Sequence, residues 1–150
     1  MSPSPLEFLV PLGALESVAE VLPFVILAAV LLNLVTRLLA QWSFERAARE
    51  GDDDEALSRF LPHEATNALL VLLAFAFTVV EPHGGVVLSV LVLGMILSDF
   101  FEYESRRVEA RNGLDVDKPK SAIAASTLVI AYAGYQALFF LVEPLWSSIV

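Results

Sequence analysis

Four long apolar runs decide what this chain can become. They cover residues 21–39, 65–80, 85–101 and 122–142. A helix needs about 20 apolar residues to cross the hydrocarbon layer of a bilayer. The first and last runs meet that length, and the middle two meet it once their polar ends sit at the interfaces. Lipid offers no water to an irregular backbone, so runs of this kind must be helical. The alternating polarity of a membrane barrel is absent. The expectation is an all-α, four-transmembrane-helix bundle forming one integral membrane domain, with spans near 19–40, 62–81, 84–104 and 121–143. Composition agrees, because 57% of the residues are hydrophobic against about 45–50% in soluble domains.

The third run fixes the frame. It passes without interruption into Ser98-Asp99-Phe100-Phe101-Glu102-Tyr103-Glu104-Ser105-Arg106-Arg107, so one helix leaves the apolar layer and continues, charged, as far as Gly113. The first run behaves alike, continuing through Gln41 and Trp42 to a helix stop at Gly51. All nine basic residues fall in two connections: Arg37, Arg46, Arg49 and Arg59 at the first, and Arg106, Arg107, Arg111, Lys118 and Lys120 at the third. Lys and Arg are retained on the cytoplasmic side. Connections 41–61 and 105–120 are therefore expected in the cytoplasm of a multi-pass cell-membrane protein, with both termini outside.

Local punctuation fills in the rest. Residues 3–16 suit a short helix lying in the interface. Without a basic leader before it, the first span is expected to remain as an uncleaved anchor. Pro62 and Glu64 suit the first turn of the second helix. Glu81-Pro82-His83-Gly84-Gly85 is expected to be the turn of an antiparallel hairpin. The fourth span is expected to end at Glu143-Pro144, leaving residues 145–150 as an interfacial tail.

The chain also resembles itself at a spacing of 62 residues, suggesting tandem two-helix units at 19–81 and 82–144. Ala48-Arg49-x-Gly51-x-Asp53 falls on Ala110-Arg111-x-Gly113-x-Asp115, and Phe77-x-x-Val80-Glu81-Pro82 on Phe139-x-x-Val142-Glu143-Pro144. Parallel units of this kind are related by an axis along the membrane normal. Arg37 and Asp99 then occupy matching positions at similar depth. If both face inward they are expected to pair, since an unpaired charge within the layer is costly.

Residues capable of chemistry are few. There is no cysteine, which removes thiolate nucleophiles and ligands. Asp99, Glu102 and Tyr103 share one helix face and, with Arg37, His63 and Glu64, make a candidate polar cluster. Such a set can relay protons or hold a divalent metal, or be interfacial ion pairs such as Glu102 with Arg106. His63-Glu64 begins like a zinc-protease helix, but Asn67 stands where the second histidine belongs. His63 and His83 lie at opposite ends of the second span, about 30 Å apart, and cannot share a metal or haem. Glu81 and Glu143 form a candidate outer acidic pair, either cation-attracting or simple helix-end punctuation. Gly94/Ser98, Ala74/Thr78 and Ala133/Ala137 offer small-residue spacings for close packing. No phosphate loop, nucleophile triad or dinucleotide fingerprint occurs. No catalytic residue, cofactor or metal site is therefore assigned, and an enzyme is not expected.

The net charge of −9, with acids gathered at Asp52-Asp53-Asp54-Glu55 and at Asp115 and Asp117, argues against nucleic acid as a partner. A surface rich in acids and poor in lysine suits concentrated salt, where self-repulsion is screened. In this, in Glu81-Pro82-His83-Gly84-Gly85, in Ser98-Asp99-Phe100-Phe101-Glu102 and in Lys118-Pro119-Lys120-Ser121-Ala122-Ile123-Ala124-Ala125-Ser126, the chain resembles small four-span membrane proteins of haloarchaea. That resemblance implies the fold and supplies no activity. The functional expectation is a non-catalytic scaffold or accessory subunit in the lipid bilayer, as a homo-oligomer or part of a larger complex. The alternatives are a small oligomeric transporter or channel, and a membrane metalloprotein.

Overall fold

The computed structural model describes residues 13, 17–50 and 59–149. The Gly51 stop, the acidic run 52–55 and, Gly13 apart, the interfacial segment expected over 3–16 lie outside the described residues. Four long helices follow one another: α1 (Leu22–Glu50), α2 (Leu61–Val80), α3 (Pro82–Arg111) and α4 (Lys120–Ile149). Each is long and apolar enough to cross a membrane, which makes this an all-α, multi-pass membrane protein.

The helix ends follow the local chemistry. Phe60 is the extended residue before α2, with Pro62 and Glu64 in the first turn. There the missing proline N–H has no intrahelical partner to lose, and the carboxylate meets the positive end of the helix dipole. Helix α3 ends at Gly113, the one described glycine with φ in the left-handed region, +70°. The N–H of Gly113 donates to the Ala110 carbonyl at 3.2 Å, and that of Leu114 to the Glu109 carbonyl at 2.8 Å. This paired arrangement satisfies the last carbonyls of a helix.

One boundary differs from expectation. The hairpin between α2 and α3 turns on Glu81 alone, and Gly84 and Gly85 are helical and buried. These glycines serve close approach instead. A Cβ at Gly85 would lie 2.1 Å from the Thr78 Cα, and one at Gly84 would lie 2.8 Å from Gln136 Nε2. Beyond the expected end of the fourth span at Glu143, α4 stays helical through Pro144 to Ile149. The loss there is a single backbone donor, which helices in a membrane commonly absorb.

In cross-section the helices form a square. Helix α1 packs on α2 and α4, α3 packs on the same two, and α1 and α3 face each other across a diagonal. Ile26, Val30, Leu70, Phe77, Leu88 and Val92 make the centre of the core. The outside is apolar too: Leu32, Leu72, Val90, Phe101, Leu128 and Leu138 are all more than half exposed. That is an outer surface made for lipid.

A rise of 1.5 Å per residue turns these helices into a depth scale. About 30 Å, or 20 residues, separates the two faces of the hydrocarbon. Measured from Leu22, Glu81, Pro82 and Glu143, the other face falls at Trp42, Leu61, Glu102 and Ile123. The bonds of Arg37 to Asp99 and Ser126 and of His63 to Asp99 join positions at similar distances from these ends, so the four helices share one frame.

The 62-residue correspondence holds for one helix pair. Helix α1 buries Leu22, Pro23, Ile26, Val30 and Asn33, and α3 buries Gly84, Gly85, Leu88, Val92 and Met95, each 62 residues later. It does not extend to the buried faces of α2 and α4. Those run through His63, Asn67, Leu70 and Ala74 on α2 and through Ala122, Ser126, Val129 and Ala133 on α4, 59 residues apart. Phe77 is accordingly buried while Phe139, its match in sequence, is 48% exposed. Of the small-residue pairs, Ala133 and Ala137 are buried at an interface. Gly94 is exposed, with nothing near it for a Cβ to meet.

Candidate functional site

The polar interior sits just within the slab at its Trp42–Leu61 face. By helical rise, Arg37 lies about 7.5 Å inside that plane, Asp99 about 4.5 Å and His63 about 3 Å. At these positions α1 and α3 come together across the diagonal of the square. Arg37 donates from Nε to Asp99 Oδ1 at 2.9 Å and from a terminal nitrogen to Oδ2 at 2.7 Å. This two-point fork is the strong geometry for a guanidinium and a carboxylate. The arginine is 2% exposed and the aspartate 14%. The remaining terminal nitrogen of Arg37 donates to Ser126 Oγ on α4. One side chain thus ties three helices.

Helix α2 supplies the rest of the shell. His63 Nε2 lies 3.1 Å from Asp99 Oδ2. An ionised carboxylate only accepts, so that ring nitrogen is the donor. The other nitrogen, Nδ1, is 2.9 Å from Thr36 Oγ1. Asn67 Nδ2 donates to Asp99 Oδ2 at 3.3 Å. Deeper in, Asn33 Nδ2 donates to Thr66 Oγ1 and to Asn67 Oδ1, both at 2.8 Å. Asn33 Oδ1 has no partner. Beyond Asn33 the axis is closed by Val30, Val92 and Ile26, each about 1% exposed.

A small cavity of about 40 Å³ lies beside the pair, touched by Arg37, His63, Asp99 and Glu102 and by the apolar Ala40 and Phe44. It has room for a water or two. The six residues of the expected cluster all border this cavity, but they split by partner. Arg37, His63 and Asp99 form the bonded centre. Glu64 turns outward to Arg59 at 3.3 Å. Glu102 bonds Arg106 at 3.1 Å and accepts from the Ser121 N–H at 3.2 Å and from the Ser121 hydroxyl, so it caps the start of α4. Tyr103 stacks near Phe44, ring centres 5.5 Å apart, and lies under the Arg59 guanidinium at 4.5 Å.

This donor set is a poor fit to a metal ion. Asp99 offers two oxygens already engaged by a guanidinium, and the positive charge of Arg37 sits where a cation would need to be. Among the described residues no group of three His, Asp or Glu side chains converges. Glu81 and Glu143 are exposed at the opposite face of the slab, roughly 27 Å from His63 in the case of Glu81, and take no part in the cluster.

The sequence paired Arg106 with Glu102, and the structure has that bond, but the depth of Arg106, only 5% exposed, and its further partners were not foreseen. It donates to the Asp117 carbonyl at 2.5 Å and to Glu109 at 3.1 Å. Gln41 donates to the same carbonyl at 2.8 Å. Together they clamp the 112–119 connection across the end of the bundle. The i, i+4 spacing signalled the bond to Glu102 and carried no sign of the clamp on the connection. Thr66 and Ser126 gave none, because a hydroxyl in a membrane helix reads as packing.

No curated protein matches this chain, and no solved structure does. A family model described as a domain of unknown function, DUF7313, matches residues 4–150. The chain belongs to that family.

Proposed function

We propose that this protein is a non-catalytic integral membrane component, a scaffold or accessory subunit that associates with itself or with a larger complex. The observation that supports this reading is the close pairing of Arg37 with Asp99 inside the bundle. Both oxygens of Asp99 accept from Arg37, with His63 and Asn67 adding to Oδ2. A carboxylate held this way acts as a lock between helices, and among the described residues no acidic or basic side chain is buried in the core beyond it. The long extensions of α1 and α3 past the slab give a partner something to grip.

The basic residues support an orientation with the Trp42–Leu61 face in the cytoplasm and both termini outside. The acid-rich, lysine-poor polar surface fits a concentrated-salt interior such as that of haloarchaea. Labelling Lys118 and Lys120 in sealed cells with a membrane-impermeant amine reagent tests the orientation; modification before lysis would invert it.

The rival class is a small transporter or channel working through Asp99. Liposomes carrying the purified protein are expected to leak ions no faster than empty ones. Solute or ion flux that disappears in Asp99→Asn would replace the scaffold reading. Purification from native membranes is expected to bring a stoichiometric companion or a defined homo-oligomer.

A further inference from the structure

A second feature lies on the lipid side of α1, away from the charged pair. Leu39, Trp42, Ser43 and Arg46 of α1 and Phe60, just ahead of α2, line a surface crevice of about 200 Å³. The depth scale puts its parts in a telling order. Leu39 lies about 4.5 Å within the hydrocarbon, Trp42 at its boundary, and Arg46 about 6 Å beyond, level with lipid headgroups. Leu39 is 46% exposed and Trp42 57%, so the apolar floor faces lipid, and Arg46 is exposed above it. We infer that this crevice is a binding site for one anionic phospholipid of the leaflet at the Trp42–Leu61 face.

Chemistry assigns the occupant. An acyl chain lies along Leu39 and the indole face of Trp42, a residue type suited to this boundary because one edge is apolar and the other polar. The headgroup phosphate accepts from the Arg46 guanidinium, which has five N–H donors and can hold a phosphate alongside a protein partner. Ser43, one turn below, adds a hydroxyl donor. A soluble anion would use the cation and leave the apolar floor unfilled. A zwitterionic lipid also brings a phosphate, but its own ammonium competes with Arg46 for that charge, so the net-anionic lipid is favoured. The surrounding chain is strongly acidic, at net −9, so a phosphate is drawn here by direct contact with Arg46 and not by a general positive field. In concentrated salt only such contacts survive, since screening acts within about 3 Å at 1 M.

The chain has two tryptophans, so Trp146→Phe leaves Trp42 as the only indole. In detergent micelles at 1 M salt, its fluorescence is titrated with phosphatidylglycerol or phosphatidylcholine brominated on the acyl chain. The expected result is quenching by the anionic lipid at about fivefold lower mole fraction. Arg46→Gln should erase that preference, Ser43→Ala should reduce it, and Arg111→Gln on the far extension should leave it intact. Arg46 is exposed, so its replacement is not expected to unfold the bundle; a melting curve matching the parent verifies this. Equal quenching by the two lipids in the parent overturns the site. So does a preference untouched by Arg46→Gln or lost equally in Arg111→Gln. Displacement of the brominated lipid by inorganic phosphate would mark a free-anion site and also overturn it.

Discussion

The two ends of this bundle are closed by opposite means. At the Trp42–Leu61 face, α1, α2, α3 and α4 are joined by charge: Arg37 and His63 meet at the Asp99 carboxylate, and Arg37 also reaches Ser126. At the Glu81 face, α2 and α3 are joined by the absence of side chain, with Gly85 against the Thr78 backbone and Thr78 Oγ1 3.1 Å from Ser89 Oγ. The first device holds a diagonal pair that would otherwise stand apart, and needs strong bonds to span it. The second holds neighbours joined by a one-residue turn, where only room for contact is required. Charge sets which helices meet, and glycine sets how near.

The largest effect is expected from breaking the charged end on one side only. Asp99→Ala leaves the Arg37 guanidinium buried without its carboxylate, which costs about 3–5 kcal/mol. Unfolding in mixed micelles measures it. Arg37→Leu with Asp99→Leu together removes both charges and should recover most of the loss, as apolar replacements of buried pairs often do. A single-variant loss below about 1 kcal/mol would mean that the pair is wetted and that the contrast between the two ends is false.

At the glycine end the expected loss is somewhat smaller. Gly85→Ala places a methyl carbon 2.1 Å from one Thr78 backbone atom and 2.4 Å from another. Backbone cannot swing aside, so the hairpin must open, at about 3 kcal/mol. Gly84→Ala meets the far end of Gln136 at 2.8 Å, a group free to change rotamer, and should cost under about 1 kcal/mol. Comparable losses for the two would show that the hairpin yields as a whole.

These residues also mark how far sequence reading reached. The four helices were legible because a hydrocarbon slab imposes length and apolarity on every crossing. The Arg37–Asp99 contact was legible because two charges at matching depth have few ways to avoid each other. Gly84 and Gly85 were legible as necessary but misread in purpose: a glycine is required for positive φ or for close approach, and sequence shows only the residue. At Glu143-Pro144 the end of the apolar span was legible, but not that α4 forgoes one bond there and continues as helix. The cap on α4 by Glu102 and the clamp by Arg106 depend on where the 112–119 connection folds back. Only tertiary placement fixes that.

The Glu102 cap offers an intermediate test at the charged end. Ser121→Ala removes the hydroxyl donated to Glu102 while leaving the backbone donor at 3.2 Å. The expected loss is about 1 kcal/mol, read in the same micelle titration. A loss as large as that of Asp99→Ala would move the main lock from the diagonal pair to the start of α4.

The smallest expected effect separates buried charge from charge alone. Arg59 and Glu64 approach to 3.3 Å with side chains 40% and 41% exposed, so water and ions screen them. Glu64→Gln should cost no more than about 0.5 kcal/mol at low salt. Raising the salt to 1 M, where the screening length is about 3 Å, should abolish even that. The Asp99→Ala loss should persist at the same salt, because ions do not enter the ring of helices around Arg37. If both losses faded together, the Arg37 pair would have to be open to the same solution as Glu64, and the buried lock would reduce to one more surface ion pair.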